Sequence, residues 1–339
     1  MTTLKDIARE AEVSITTVSN VVHGRQSRVS PEVTTKIQGI IERENYIPSM
    51  TARTLANNAS PIVGIINHAH FDSGGGFLSD PFHNTFIGSI EDRMRDEGYY
   101  IMVRTAKDAR GLEEVYHNWN LAGMVFTGLY EDDFFECVCR LNIPYVLIDS
   151  YINSADACNV GLEDQKGGYI ATRYLLENGH KTIAFASPTI RKDGVVEQRL
   201  KGYKQALQEF GITFDRELVF EKEAYNTTEG IKLGKLIGTK DEVTGIFATA
   251  DVLAAGIITG LREIGINVPA DKSIIGFDDN YLCQITYPRL TTVHQDAEQK
   301  GIIAAEMMLA QLKNKPIRER KIILPVFLQE RDSVQRLVK

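Results

Sequence analysis

No apolar run in this 339-residue chain approaches the roughly 18 residues that a membrane-spanning helix needs, so no membrane partner is expected. The opening stretch, MTTLKDIARE, has no apolar signal-peptide core. Cysteine is sparse: Cys137, Cys139, Cys158 and Cys283 show neither CxxC pairing nor the density of a disulfide framework. They read as reduced thiols, and the chain is expected in the cytoplasm. Catalytic signatures are missing as well. There is no GxxxxGK(S/T) loop, no GxSxG elbow, no HExxH and no Cys/His metal cluster, and the seven histidines are scattered. No catalytic residue, metal site or cofactor is expected. Basic charge is scarce too. Residues 1–60 hold seven basic and six acidic groups, a net of +1, which leaves −8 for the remainder of a chain at −7. Composition alone therefore does not mark a nucleic-acid binder.

What is present begins in the first sixty residues. Leu4, Ile7, Ala8 and Ala11 recur at helical spacing. Glu12-Val13 makes a turn, and Ser14 caps a second helix that buries Val18, Val21 and Val22 and stops at Gly24. Ser30 and Pro31 start a third helix, with Val33, Ile37 and Ile40 or Ile41 inside. Three short helices with a tight first turn form a helix-turn-helix unit. The second helix exposes Ile15, Thr16, Ser19 and Asn20. Such short side chains let a helix lie close to base edges: Asn pairs with adenine and a Thr methyl meets thymine. Ser14, at the helix N-terminus, suits a phosphate oxygen. The alternative is a three-helix bundle with an accidentally polar face. In YIPSMTARTLANNAS, Ser49 caps a stretch of about eight residues, too short to be stable alone. Its exposed Leu55, beside Arg53, fits a wedge between base steps in the minor groove.

From residue 61 onward, short β-branched runs recur at intervals of roughly 30 residues, separated by helical stretches. That pattern means parallel sheets with helices on both faces, divided between two subdomains. Ligands in such folds bind beyond the carboxyl ends of the strands. Those ends read Asn67, Arg104, Thr127, Asp149, Ser187, Asp251 and Asp278, a hydrogen-bonding set that suits a polyhydroxylated ligand. Phe82 and Tyr225 offer flat apolar faces, and Arg199 offers donors. Asp251 is read either as a ligand contact or as a cap of the following helix. Asp149 is either ligand or structural, and one of Asp278 and Asp279 is a cap. The Gly-rich FDSGGGFLSD does not open a helix as a phosphate cradle does, and reads as a mobile lip on a cleft.

The stretches TLKDIAREAEVSITTVSNVVHG, RVSPEVTTKIQGIIERENYIPSMTARTLA, SIIGFDD and PRLTTVHQD, in that order, resemble the LacI/GalR family of bacterial transcription repressors. The resemblance implies an α/β fold: an all-α helix-turn-helix head followed by a two-lobed periplasmic-binding-protein-like body of parallel sheets flanked by helices. The implied domains are 1–47 for the head, 48–60 for a hinge helix and linker, and 61–339 for effector binding and dimerisation. Lobe 1 is expected over about 61–160 and 291–323, lobe 2 over about 161–290 and 324–339, with crossings near 159–162, 288–292 and 322–326. By resemblance Ile15, Thr16 and Asn20 face operator bases, Arg28 faces DNA, Ser14 and Ser19 touch phosphates, and Thr17 belongs to the same surface. Leu55 levers open the central base step. Arg199 and Asp278 match recurrent effector contacts, and Asp80 and Phe82 fall in a binding loop. Two departures stand out. Some relatives carry Arg where this chain has Asn20, and ATADVLA places Ala250 where relatives often have Asn.

The expected function is a sequence-specific transcriptional repressor of double-stranded, pseudo-palindromic operator DNA. A sugar or sugar derivative in the interlobe cleft switches its affinity. The alternatives are an α/β enzyme acting on a carbohydrate with an appended DNA-binding head, and a solute-binding protein. One head at +1 has little electrostatic grip, so a homodimer is expected. The tail RDSVQRLVK lacks leucine heptads, which favours a dimer over a tetramer. Leu55→Ala is expected to weaken binding to an operator selected from a random duplex library by about tenfold or more, with little change on a scrambled duplex. Fluorescence anisotropy reads both, and equal losses on the two duplexes refute the wedge.

Overall fold

The computed structural model describes residues 2–22, 28–46, 60–68, 77–223 and 226–337. The expected stop at Gly24, the hinge with Arg53 and Leu55, most of the Gly-rich stretch and Tyr225 lie outside them. The chain divides into two compact units, Met1–Ser60 and Pro61–Lys339.

In the first unit, α1 (Leu4–Ala11), α2 (Ile15–Val22) and α3 (Pro31–Arg43) pack around Ile7, Ala8, Ala11, Val18, Val21, Ile37 and Ile40. Local bonds fix each helix start. Thr3 Oγ1 accepts the Asp6 N–H at 3.3 Å while Asp6 Oδ2 accepts the Thr3 N–H at 3.0 Å, a reciprocal cap. Glu12 adopts a left-handed φ of 58°, which reverses the chain into α2. Ser14 Oγ accepts the Thr17 N–H at 3.1 Å, and Ser30 Oγ accepts the Val33 N–H at 3.4 Å.

The second unit contains two six-stranded sheets. The first comprises β1 (Ile62–Asn67), β2 (Tyr100–Thr105), β3 (Gly123–Thr127), β4 (Tyr145–Ile148), β5 (Cys158–Leu162) and β11 (Lys321–Leu324). Its order is β11-β5-β4-β3-β1-β2, parallel throughout. The second comprises β6 (Ile183–Pro188), β7 (Val219–Lys222), β8 (Gly245–Ala248), β9 (Ser273–Asp278), β10 (Thr291–His294) and β12 (Phe327–Gln329). Its order is β12-β10-β9-β8-β6-β7, with only β12 antiparallel. Both faces of each sheet are covered. On the first, Val125 joins the core under α4 (Pro81–Arg95) and α11 (Ala297–Leu312). Met124 and Phe126 face α5 (Ala109–Trp119) and α6 (Asp133–Leu141) on the other side. On the second sheet, α7 (Asp164–Glu177) and α8 (Val195–Glu209) cover one face, and α9 (Thr227–Gly238) and α10 (Asp251–Glu263) the other.

The chain passes between the sheets at 163, 295–296 and 325–326. The expectation that the first lobe resumes at 291 is corrected here. Thr291–His294 runs parallel beside β9, with the Thr291 N–H on Ser333 Oγ at 2.8 Å and the Thr292 hydroxyl on Asp251 Oδ1 at 2.6 Å. These bonds hold the segment in the second lobe, so the second crossing follows it.

Glycine sets how closely α7 and α8 approach. A Cβ on Gly202 would stand 1.9 Å from the Gln165 carbonyl oxygen, and one on Gly168 would stand 2.0 Å from that of Arg199. The backbones touch there, with no side chain free to yield. Gly202→Ala is expected to cost about 3 kcal/mol by urea denaturation. Gly88→Ala, where nothing lies within 4 Å, should be neutral or gain up to about 1 kcal/mol. Equal midpoint shifts contradict the close-contact account.

Candidate ligand cleft

The carboxyl ends of both sheets open onto one cleft of about 430 Å³. The first sheet supplies Thr127 at the end of β3, the Gly128–Tyr130 loop beyond it, and Asp149 after β4. The second supplies Pro188 at the end of β6, Thr249 and Ala250 after β8, and Asp278 at the end of β9. Asp80 and Phe82 enter from the start of α4 and Arg199 from α8, while Gln295 lies on the second crossing. Asp80, Phe82, Asp149, Arg199 and Asp278 thus come together at one place.

Asp80 caps α4: its Oδ1 accepts the Phe82 N–H at 3.0 Å, and its Oδ2 lies 3.1 Å from His83 Nδ1. Asp149, in a left-handed conformation with φ 50°, accepts two bonds from Lys300 Nζ at 2.8 and 2.7 Å. The Lys300 side chain is entirely buried. Its Nζ also donates to Gln295 Oε1 at 2.8 Å and stands 5.1 Å from the centre of the Phe82 ring. Gln295 Nε2 in turn donates to Asp278 Oδ1 at 2.6 Å. A continuous polar chain, Asp149–Lys300–Gln295–Asp278, therefore runs from one lobe to the other. Burial pushes the Asp278 carboxyl well above the ordinary range; Asp251 adds to this and Arg199 opposes it.

A second bridge runs beside the first. Arg199 Nε donates to Asp164 Oδ1 at 2.8 Å and Nη1 to the Thr249 carbonyl at 2.6 Å, and the guanidinium carbon lies 3.5 Å from the centre of the Phe277 ring. Burial works against the Arg199 charge, but Asp164 and Asp278 outweigh it and hold the group more basic than usual. The other Asp164 oxygen accepts the Tyr151 hydroxyl at 2.7 Å. Burial, reinforced by Asp164, pushes the Tyr151 phenol up, so it stays a donor. Two buried hydroxyls lining the cleft, on Thr127 and Thr249, have no hydrogen-bond partner among the described residues. Each such group costs about 1–3 kcal/mol until something satisfies it.

Four of the seven strand-end residues do not line the cleft. Asp251 does not reach the cleft. It begins α10 fully buried, its Oδ1 bonded to Thr292 and its Oδ2 accepting the Asn280 N–H at 3.0 Å, and Ala250 lines the cleft instead. β8 stops at Ala248, and the first helical turn carries Asp251 against β9, where a Cβ on Gly276 would stand 2.2 Å from its Oδ1. Arg104 is exposed on β2, away from the lining, and the buried Asn67 and Ser187 are also not lining residues. Of the two adjacent aspartates, Asp279 pairs with Arg331 at 2.6 Å and His294 at 2.8 Å, which leaves Asp278 to the cleft. Sequence reasoning missed Lys300, Gln295, Asp164, Tyr151, Tyr130 and Arg191. Lys300 alone left a sign, because it interrupts a helical stripe of Gly301, Ala304, Ala305 and Met308 that is buried throughout.

In the head, Ile15 is 49% exposed, Ser14, Thr16 and Arg28 are exposed, and Thr17, Ser19 and Asn20 are half-buried. The Ser14 and Thr17 hydroxyls lie 2.9 Å apart, so Ser14 shapes the start of α2 as well as its surface.

Burial raises the Asp251 carboxyl to about 7, against bonds from Cys283, Thr292 and Asn280 that lower it. An acid raised on folding contributes stability that is fully present below its unfolded value and is lost as pH rises through its folded value. Relative to Asp251→Asn, the wild type is therefore expected to lose stability between about pH 4 and pH 7 in urea titrations. A difference that does not change with pH contradicts this.

Comparison with known proteins follows the same division of the chain. Residues 3–49 match the profile of bacterial regulatory proteins of the lacI family, and residues 172–334 that of the periplasmic binding protein-like domain. The HTH-type transcriptional repressor PurR of Vibrio atlanticus (strain LGP32) is 32% identical over 350 residues, covering 99% of this chain and 100% of its own. A LacI family transcriptional regulator from Enterococcus faecium, solved with bound ribose, is 26% identical with a TM-score of 0.71, covering 82% of this chain and 100% of its own. The lac repressor dimer bound to operator and the anti-inducer ONPF shares the fold, with a TM-score of 0.82 at 23% identity over 98% of this chain and 99% of its own. Among the described residues, no helix is long and apolar enough to cross a membrane. With a whole-length relative of this similarity and a helix-turn-helix head joined to a two-sheet body, the chain belongs to the LacI family of bacterial transcriptional regulators.

Proposed function

We propose that the protein is a homodimeric, cytoplasmic repressor whose affinity for a pseudo-palindromic operator is set by a sugar or sugar derivative in the cleft, and that it catalyses no reaction. One observation carries this reading: the cleft is lined by the carboxyl oxygens of Asp149 and Asp278, by the Thr127 and Thr249 hydroxyls, which lack a hydrogen-bond partner among the described residues, and by Phe82. A polyhydroxylated ligand donates to the first, accepts from the second and lays an apolar face on the third. The ribose bound by the Enterococcus faecium relative supports the same class. Two of the cleft carboxylates are held in structural roles: Asp80 caps a helix, and Asp149 is bonded twice to Lys300.

In this reading α2 enters the major groove, with Ile15, Thr16 and Asn20 toward base edges and Ser14, Thr17, Ser19 and Arg28 toward the backbone. Arg53 and Leu55 act in the minor groove at the operator centre. The ligand changes the angle between the lobes, and reciprocity requires that DNA change ligand affinity by the same factor.

Anisotropy with a selected operator, repeated across a panel of carbohydrates, tests this. At least one sugar is expected to shift operator affinity by about 5- to 150-fold. Asp278→Asn should abolish that shift while leaving sugar-free affinity intact. No shift from any member, or a sugar recovered chemically altered, refutes the proposal.

A further inference from the structure

The two lobes touch across the mouth of the cleft. Tyr130, in the loop after β3 of the first lobe, meets the loop that precedes α8 in the second. The Arg191 guanidinium carbon lies 5.5 Å from the centre of the Tyr130 ring, within the reach of a cation–π attraction. Gly194 is buried against the same ring. A Cβ on Gly194 would stand 3.1 Å from Tyr130 Cε1 and 3.2 Å from the phenol oxygen, and its own lobe offers only the Arg191 carbonyl oxygen as near, at 3.2 Å. Nothing in α8 itself asks for glycine there. Its φ of −114° and ψ of 166° are extended backbone that any residue adopts.

Each side of the contact is fixed by its own lobe. The Asp132 N–H donates to the Tyr130 carbonyl at 3.0 Å, and Asp132 Oδ1 accepts the Phe134 and Phe135 N–H groups at 3.0 and 3.2 Å, which ties the Tyr130 loop to the start of α6. Across the cleft, Glu221 Oε2 accepts the Ile190 N–H at 2.9 Å and Glu197 Oε2 accepts the Asp193 N–H at 3.1 Å. Position adds leverage. β3 lies two strands from β5, where the first crossing starts, and β6 lies three strands from β10, where the second starts. The contact therefore stands roughly 10 to 14 Å from the crossings at about 4.8 Å per strand. The Gln295–Asp278 and Tyr151–Asp164 bonds, in contrast, lie on or beside them. Rotation about the crossings parts Tyr130 from Arg191 and Gly194 before it strains those bonds. We infer that Tyr130 is a latch, closing on Arg191 and Gly194 and setting how often the effector-free cleft opens, and that Gly194 is glycine because a side chain there would hold the lobes apart. The consequence for DNA rests on the lobe-angle reading above, whereas the latch itself does not.

Thiol labelling of the full-length protein with DTNB tests this. Cys139→Ser removes the exposed thiol, and Thr249→Cys places a reporter on the cleft wall at a residue only 2% exposed. The buried Cys137, Cys158 and Cys283 report general loosening. In that background Tyr130→Ala and Gly194→Thr are each expected to speed labelling of the reporter by about fivefold or more, with the three buried thiols unchanged. Threonine is itself a favoured N-cap, so Gly194→Thr acts as a wedge and not by weakening α8. Adding Tyr130→Ala removes the ring that the wedge meets, and the double variant should label no faster than Tyr130→Ala alone. An unchanged rate for Tyr130→Ala, rates that multiply in the double variant, or acceleration shared by the buried thiols overturns the latch. With Cys139 and Thr249 restored, both single variants should move operator affinity in the same direction by anisotropy. Faster labelling at unchanged operator affinity upholds the latch and contradicts the lobe-angle reading of the DNA response.

Discussion

A lysine ammonium with no solvent exposure persists only where its charge is answered, because removing it from water costs several kcal/mol. Lys300 is such a group, and the cleft is organised around satisfying it. Asp149 turns into a left-handed conformation that brings both carboxylate oxygens to the ammonium. Gln295 sits on the chain crossing where one end of its amide reaches Lys300 and the other reaches Asp278. Because these four residues span both lobes, a change of lobe angle must alter bonds at the ligand site. Binding and lobe geometry are then one equilibrium, and a ligand shifts it by as much as its affinities for the two arrangements differ.

The second bridge depends on backbone proximity. Gly168 and Gly202 let α7 and α8 touch, and Gly167 leaves room for the Phe277 ring, which a Cβ there would meet at 2.6 Å. That ring carries the Arg199 guanidinium, and Asp164 at the start of α7 orients it. Arg199 is thereby fixed before any ligand arrives, which lowers the ordering cost of binding.

Local features of this architecture were legible in the sequence, and long-range ones were not. Ser14, Ser30 and Pro31 mark helix starts through bonds to residues two to four positions away, so the head could be read directly. The β-branched runs gave the strands, and their ends gave Thr127, Asp149 and Asp278. Asp251 occupies the same kind of position, yet its partners are Thr292 and Asn280, and no local pattern announces them. The pairing of Thr291–His294 with β9 was hidden for the same reason. Lys300 and Asp149 are 151 residues apart, and only the folded second unit brings them within bonding distance.

The most direct test is a double-mutant cycle on that pair, with unfolding free energies measured for Asp149→Asn, Lys300→Met and the double variant. The account predicts that Asp149→Asn alone costs about 3–5 kcal/mol, because it strands a buried ammonium, and that adding Lys300→Met restores most of the loss. Single effects that add to within about 0.5 kcal/mol would show that the two groups do not hold each other, and the account of the cleft would be wrong.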